Sequence, residues 1–158
     1  MKFNYYAFRA MYLHEMDRFK RTLMQSLFSP VLSTSLYFIV FGSVIGGYVE
    51  KIDGISYGSF IVPGLLMLTL LTQSISNTSF GIFFPKFNGT MYEILAAPIS
   101  TFEIVLAFVG AGATKTLLVG VVIFLTATFF VEVQVMYPLL MIFLLVLVAF
   151  TFALFGFL

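Results

Sequence analysis

Long stretches without charged side chains are the dominant pattern along the chain. No Asp, Glu, Lys or Arg occurs in residues 22–49, 54–85 or 133–158, and a further apolar stretch at 102–130 carries Lys115 in its interior. About 20 residues of apolar helix cross a hydrocarbon core of roughly 30 Å, and each stretch reaches that length. Because lipid cannot pair with backbone polar groups, such spans must be helical. The pattern predicts an all-α, polytopic membrane helix bundle with transmembrane helices at 26–49, 58–81, 102–130 and 135–158.

The segment before the first span has the periodicity of an amphipathic helix. Apolar side chains recur there at spacings of three and four residues: Tyr5, Phe8, Tyr12, Met16, Phe19, Leu23 and Leu27. Polar side chains project from the other side, namely His14, Asp17, Arg18 and Arg21. This predicts an interfacial helix over residues 2–25. Its role is either a positively charged anchor that sets topology or a specific contact with a cytosolic partner.

Composition narrows the possible functions. With 61% hydrophobic and 9% charged residues, the 158-residue chain has too little polar surface for a soluble domain. A formal net charge of +1 gives no reason to expect a nucleic-acid partner. The chain has no cysteine and a single histidine, so neither a thiolate site nor a zinc site is expected. We expect no catalytic residue, no metal site and no cofactor bound by this chain.

The distribution of Lys and Arg predicts the orientation. Residues 50–53 contain one lysine, the 84–100 segment contains Lys86, and the short connection at Glu132 contains none. The segment before the first span is richer in positive charge, with Lys2, Arg9, Arg18, Lys20 and Arg21. Positive residues collect on the cytoplasmic side of membrane proteins. The N-terminus and the 84–100 segment are therefore predicted to be cytosolic, and residues 50–56 and Glu132 to face outward.

Polar side chains also occur inside the predicted spans. Four in the second span share one helical stripe: Thr69, Gln73, Ser76 and Asn77. Such groups usually face protein or a wet cavity, so they either line a translocation path or make interhelical hydrogen bonds. Lys115 in the third span costs roughly 2.5–3.5 kcal/mol on insertion scales. It either contacts an anionic substrate group on that path, or snorkels or pairs with a polar residue of the second span.

The 84–100 segment is the main polar connection on the cytosolic side. Pro85 and Pro98 bracket it, and Asn88 is placed to cap a short helix. Bulky apolar groups then follow about one turn apart: Phe87, Met91, Tyr92 and Leu95. Such groups in a short cytosolic loop favour insertion into a cleft of a partner protein. The alternative is a helix that lies in the membrane interface.

At these residues the chain resembles a known family, the membrane-spanning permease subunit of type-2 ATP-binding-cassette (ABC) exporters. The likeness lies in YFIVFG within 36–42, YGSFIVPGL at 57–65, NGTMYEILAAPIS at 88–100 and then Glu103, and it covers nearly the whole chain. Joined in this order, the motifs are fairly specific. Within the family the chain is most similar to bacterial inner-membrane permeases for the export of drugs, nodulation factors and polysaccharides.

The resemblance implies a function for the 84–100 segment. It would form a coupling helix that docks on a separate ABC ATPase, through Phe87, Asn88, Gly89, Thr90, Met91, Tyr92, Glu93 and Leu95. ATP and Mg²⁺ would then bind to that partner, in agreement with the absence of a phosphate-loop motif from this chain. The resemblance also implies a permease homodimer in the lipid bilayer that moves an amphipathic or lipid-linked substrate.

Family members have six spans, so we expect the chain to be the N-terminal part of a longer permease. Two other functional classes compete with this interpretation. A four-span channel or scaffold that works without ATP would also explain the polar stripe of the second span. An intramembrane enzyme is weaker, because no catalytic constellation is visible. A neighbouring reading frame that encodes a phosphate-loop ATPase would separate the exporter from both.

Overall fold

The computed structural model describes residues 3–45, 56–131, 133 and 135–158. All secondary structure in these residues is helical, which confirms the predicted all-α bundle. The elements in order are α1 (Tyr5–Arg21), α2 (Leu23–Tyr37) with a π-helical continuation (Phe38–Ile45), α3 (Tyr57–Phe87), α4 (Thr90–Ala96), α5 (Thr101–Phe130) and α6 (Pro138–Phe157). Four segments are long and apolar enough to cross a membrane: Leu23–Phe41, Tyr57–Phe87, Thr101–Phe130 and Pro138–Phe157.

The helix boundaries differ from the predicted ones mainly around α3 and α6. Helix α3 does not end at residue 81 but continues through Pro85 to Phe87, so Pro85 lies inside the helix and does not bracket the loop. The buried Ile82 packs on α5 and keeps this end of α3 in the bundle. Helix α6 begins at Pro138, because proline suits the first turn of a helix. The end of the first predicted span, the 50–53 loop and Glu132 lie outside the described residues.

Helix α5 forms the centre of the bundle. Of its most apolar 18-residue segment 56% is buried, against 17–22% in the other three candidate spans. It contacts α1, α2, α3, α6 and the π-helical segment. Six of its fourteen buried residues are glycine or alanine: Ala107, Ala111, Gly112, Ala113, Gly120 and Ala127. Small side chains let several helices approach one central helix at once.

Helices α3 and α5 meet along a line of buried residues, most of them small, which we call the α3–α5 seam: Leu70, Ser74, Thr78, Gly112, Thr116 and Gly120. A Cβ added at Gly112 would lie 2.1 Å from Thr78 Oγ1, and one at Gly120 would lie 2.8 Å from Leu70 Cδ2. Both distances are far shorter than a normal contact, so a larger residue at either position would force Thr78 or Leu70 to move. Seam residues Ser74 and Thr78 are fully buried, and their hydroxyls have no hydrogen-bond partner within the described residues.

Helix α6 packs closely on α3, and the last turn of α6 makes a very close contact. A Cβ added at Gly156 would lie 2.5 Å from the carbonyl oxygen of Ile75, and the Ser79 hydroxyl donates to the Gly156 carbonyl over 2.8 Å. The end of α6 is therefore level with Ile75 to Ser79 of α3. This contact shows that the last turns of α3, beyond Ser79, extend past the end of α6.

The predicted N-terminal helix forms, but it is not free of the bundle. Tyr12 Oη donates to Thr114 Oγ1 over 3.0 Å, Glu15 contacts Lys115, and Phe19 packs with Val119. The contact partners advance in the same direction on both helices, so α1 runs parallel to the first half of α5. One face of α1 thus packs on the central helix, and only the other face is open to lipid or solvent.

The outer surfaces of α2 and α6 are apolar. Large exposed side chains on these helices include Met24, Phe28, Leu36, Leu139, Phe143 and Phe155. Extended exposed apolar surface of this kind marks a membrane or protein interface rather than a water-exposed surface. It agrees with the assignment of both helices as candidate membrane spans.

Candidate functional site

The candidate site begins at the reversal of the chain between α3 and α4. Gly89 has a φ of +79°, the left-handed region that glycine adopts without steric cost. Asn88 closes α3, since its backbone N–H donates to the Phe84 carbonyl over 3.0 Å. The prediction that Asn88 caps the short helix was therefore wrong. Gly89 occupies the N-cap position of α4, and no side chain caps that helix.

Helix α4 has two distinct faces. Met91 and Ile94 pack against an apolar cluster of Ile82, Ile104 and Phe108, joined by Met11, Ile99 and Phe157. Tyr92 and Leu95 point away from the bundle, with exposed fractions of 78% and 62%. Met91 and Ile94 therefore hold α4 on the bundle, and Tyr92 and Leu95 form an exposed apolar surface on its outer face. Met91, predicted among the docking residues, faces the bundle, whereas Phe87, Asn88, Thr90, Tyr92, Glu93 and Leu95 are exposed and Gly89 is half-buried.

A capping box starts α5 directly after the α4 segment. Ser100 Oγ accepts from the Glu103 backbone N–H over 3.3 Å, and Glu103 Oε2 accepts from the Ser100 backbone N–H over 2.9 Å. Glu103 Oε1 also accepts from the backbone N–H of Asn4, which begins α1. The Glu103 carboxylate therefore joins the starts of two helices. The S-x-x-E spacing gave a sequence signal for the capping box, but nothing local indicated the bond to Asn4.

An aromatic strip lies on α3 at the same end of the molecule. Phe80, Phe83, Phe84 and Phe87 follow helical spacing and are all exposed. The Phe83 and Phe87 rings stack with centroids 5.9 Å apart. The Arg18 guanidinium of α1 lies over Phe84, 5.7 Å from the ring centroid, in cation–π geometry. The last of these side chains, Phe87, is separated from α4 only by Asn88 and Gly89.

Lys115 has an acidic partner that the sequence did not reveal. Its ammonium contacts Glu15 Oε2 at 2.7 Å, and both side chains are about 4% exposed. The same oxygen contacts Arg18 Nη2 at 2.9 Å. We call Glu15, Arg18 and Lys115 the charged junction. The predicted pairing of Lys115 with a polar residue of the second span was wrong, because the full charge of Glu15 on α1 is within reach.

The charged junction lies near the end of the bundle, where α4 is also found. A Cβ added at Gly81 of α3 would be 3.5 Å from Glu15 Oε2, and Gly81 follows the stretch of α3 that contacts the end of α6. Side chains on a helix tilt toward its N-terminus, which brings the Lys115 ammonium toward that end. Lys115 thus lies mid-way along α5 in sequence, while its charge lies nearer the α4 end.

The predicted polar stripe of α3 does not face one environment. The Asn77 side-chain amide donates to Thr116 Oγ1 of α5 over 3.3 Å, whereas the Thr69 hydroxyl donates to the Leu65 carbonyl of its own helix. Gln73 is half-buried and Ser76 is exposed. The face turned to α5 is instead the one with Leu66, Leu70, Ser74 and Thr78. Leu70, Ser74 and Thr78 continue the interval of four residues that begins with the apolar Val62 and Leu66. All five residues therefore lie on the buried face of α3.

Metal binding has no support among the described residues. No group of three or more His, Cys, Asp or Glu side chains is close enough there to hold an ion. The two buried carboxylates, Glu15 and Glu103, are instead satisfied by cations and by backbone N–H groups respectively.

Comparison with known proteins places this arrangement in a family. The chain is 38% identical over 129 residues to the inner membrane transport permease YadH of Escherichia coli K12, and the same values hold for YadH of Shigella flexneri. The match covers 82% of this chain and 50% of YadH, so the chain spans about half the length of these relatives. No solved structure matches significantly. The family model of the ABC-2 type transporter matches residues 6–158, and the chain therefore belongs to the ABC-2 type transporter family.

Proposed function

We propose that this chain is the membrane-spanning part of an ABC exporter in the bacterial inner membrane, driven by ATP hydrolysed on a separate subunit. Family membership and the similarity to an inner membrane transport permease support this proposal. ATP and Mg²⁺ bind to the ATPase partner and not to this chain. The N-terminus is cytoplasmic, and two permease copies enclose the path of an amphipathic or lipid-linked substrate.

The observation that carries the proposal is the two-sided structure of α4. The inner apolar pair is covered by the bundle, whereas the outer pair is uncovered among the described residues, and an exposed apolar patch marks an interaction surface. Here Tyr92 and Leu95 on the outer face are exposed, as is Phe87 at the end of α3, while Met91 and Ile94 anchor the helix. Large aromatic side chains in such exposed positions are typical anchors of a protein interface.

In this proposal α4 is the coupling helix and the ATPase supplies the cleft. Phe87, Asn88, Gly89, Thr90, Tyr92, Glu93 and Leu95 form the docking surface, and Met91 transmits force to the bundle through the Ile82, Ile104 and Phe108 cluster. The ATPase changes the bundle only if its two nucleotide states contact this surface with different free energies. Thr69, Gln73, Ser76, Asn77 and Lys115 remain candidates for the translocation path, of which Lys115 is neutralised by Glu15.

Charge placed on the outer face of α4 tests the proposal. In the protein that carries this chain, Tyr92→Asp and Leu95→Asp should weaken co-purification with the ATPase by about 2 kcal/mol or more, because an unpaired charge would be buried in an apolar cleft. Tyr137→Asp is the matched control, since Tyr137 is also well exposed but lies between α5 and α6. Equal association for all three variants would show that the ATPase does not dock on the outer face of α4. Failure of the parent protein itself to associate with any ATPase would instead favour an ATP-independent channel or scaffold.

Orientation has an independent test, because the chain has no cysteine. Thr90→Cys and Ser56→Cys place single thiols on α4 and at the start of α3. In intact cells an impermeant thiol reagent should label only the Ser56→Cys protein. Labelling of the Thr90→Cys protein would overturn the cytosolic placement of α4, and with it the docking proposal.

A further inference from the structure

Glu103 stands at a meeting point of three helices. It lies three residues after Ser100, where the chain leaves the α4 segment, and its two oxygens are divided between two backbone donors. Oε2 accepts from Ser100 at the start of α5, and Oε1 accepts from Asn4 at the start of α1. Glu103 is 2% exposed and makes no ion pair within the described residues. The positive N-terminal ends of two helices balance its charge.

The same helices share the apolar support of α4. Met11 of α1 packs on the cluster of Ile82, Ile104 and Phe108 that also receives Met91 and Ile94. The first half of α1 therefore contacts the cluster on which α4 rests. A displacement of α4 would reach α1 through this cluster and through the Ser100–Glu103–Asn4 bonds.

Nearer its C-terminal end, α1 makes two further polar contacts with α5. Tyr12 donates to Thr114, and Glu15 contacts Lys115. Only Thr22 separates the end of α1 from α2, which is the first candidate span. Helix α1 thus contacts α5 at several points along its length, and its end is joined through Thr22 to α2.

We infer that Glu103 is a positioning residue that fastens the start of α1 to the exit of the α4 segment, so that α1 carries displacements of α4 to α2. The inference rests on the proposed function, because the displacement originates in an ATPase docked on α4. The structural part of the inference is that the hydrogen bond from Asn4 to Glu103 holds the first turn of α1 in place.

The Glu103 carboxylate caps α5 through Ser100 and holds the start of α1 through Asn4, and the substitution Glu103→Gln separates these two roles. Glutamine keeps one acceptor oxygen for the capping box with Ser100, but its amide nitrogen cannot accept a hydrogen bond from Asn4. Ser100→Ala is the matched control, because it removes the Oγ bond to the Glu103 N–H and leaves the carboxylate free to hold Asn4. Each variant removes one hydrogen bond: Glu103→Gln removes the bond at the start of α1, and Ser100→Ala removes a bond at the start of α5. Only the first variant detaches α1.

The two variants are compared in the full-length protein with its ATPase in lipid nanodiscs. Glu103→Gln should speed amide exchange in the first turn of α1 at least about tenfold, as expected for the loss of a hydrogen bond to a charged group. It should also lower transport per ATP hydrolysed without changing ATPase co-purification. Ser100→Ala should change neither exchange in α1 nor the transport ratio.

Two results would overturn the inference. In one, both variants alter exchange and transport equally, which would mark Glu103 as a helix cap only. In the other, Glu103→Gln leaves exchange in α1 unchanged. Failure of the proposed function is distinguishable from both, since it would show as intact ATPase association in Tyr92→Asp, while amide exchange would still report whether Glu103 holds α1.

Discussion

Helix α5 is packed by two neighbours in opposite ways. Along the α3–α5 seam, close contact depends on the absence of side-chain atoms at Gly112 and Gly120, and two buried hydroxyls there have no partner among the described residues. Along α1, contact combines the apolar packing of Met11 and Phe19 with polar bonds, above all the charged junction. The seam depends on a close fit of small groups, whereas the α1 contact depends in part on buried charge. The difference predicts that added side-chain volume separates α3 from α5, and that loss of a charged group loosens α1.

The largest expected effect comes from removal of the acid in the charged junction. Glu15→Gln leaves the Lys115 ammonium buried without an anion, and loss of one partner of a buried pair costs about 3–5 kcal/mol. Lys115→Met should cost less, because Arg18 still neutralises Glu15. The thermal unfolding midpoint in detergent measures both. The double variant Glu15→Leu/Lys115→Met should recover most of the loss, and a single variant as stable as the parent would contradict the buried pair.

The next effect tests the closeness of the α3–α5 seam. Gly112→Ala places a methyl group against Thr78 and should destabilise the bundle by about 1–3 kcal/mol, the usual cost of overpacking. Gly64→Ala on α3 is the control, since nothing lies within 4 Å of its added Cβ. That change should be neutral or stabilising. Addition of Thr78→Ala to Gly112→Ala should restore stability, and no recovery would show that the seam does not limit the approach of the two helices.

A smaller effect separates unpaired from paired hydroxyls on α3. Ser74→Ala removes a buried hydroxyl without a partner within the described residues and should stabilise the protein by about 1 kcal/mol. Ser79→Ala removes the hydrogen bond to the Gly156 carbonyl and should cost about 0.5–1.5 kcal/mol. Opposite signs in thermal unfolding are expected. Destabilisation by Ser74→Ala would indicate that its hydroxyl finds a partner.

The smallest effect concerns an ion pair on the exposed face of α1. Lys20 donates to Asp17 over 3.0 Å and lowers the pKa of that carboxyl below its ordinary 3.8, first through the hydrogen bond and then through charge. The pair stabilises the fold above the ordinary pKa, and this contribution is lost as pH falls through the lowered pKa. Asp17→Asn should therefore differ slightly from the parent at neutral pH and match it in acid. Added salt should shrink the difference, because exposed pairs are screened.

The sequence pattern was sufficient to predict which segments form helices. It was insufficient to predict which side chains meet between those helices. Charge-free stretches identified the candidate spans because membrane helices carry a strong local signal. The resemblance placed α4 correctly between α3 and α5. The partner of Lys115 could not be predicted, because Glu15 is 100 residues away on a segment whose apolar periodicity suggested lipid contact. The inward turn of Met91 depends likewise on the Ile82 cluster, which forms only after α3 and α5 meet.

The separation of 100 residues between Glu15 and Lys115 has a consequence for how the chain is made. Ribosomes add about 5–20 residues per second, so Glu15 leaves the ribosome several seconds before its lysine. During that interval its carboxylate must stay hydrated at the membrane surface. Helix α5 then enters with a charge that no earlier span neutralises. The segment that carries Glu15 is therefore synthesised well before α5 and reaches its final position only after α5 has entered the membrane.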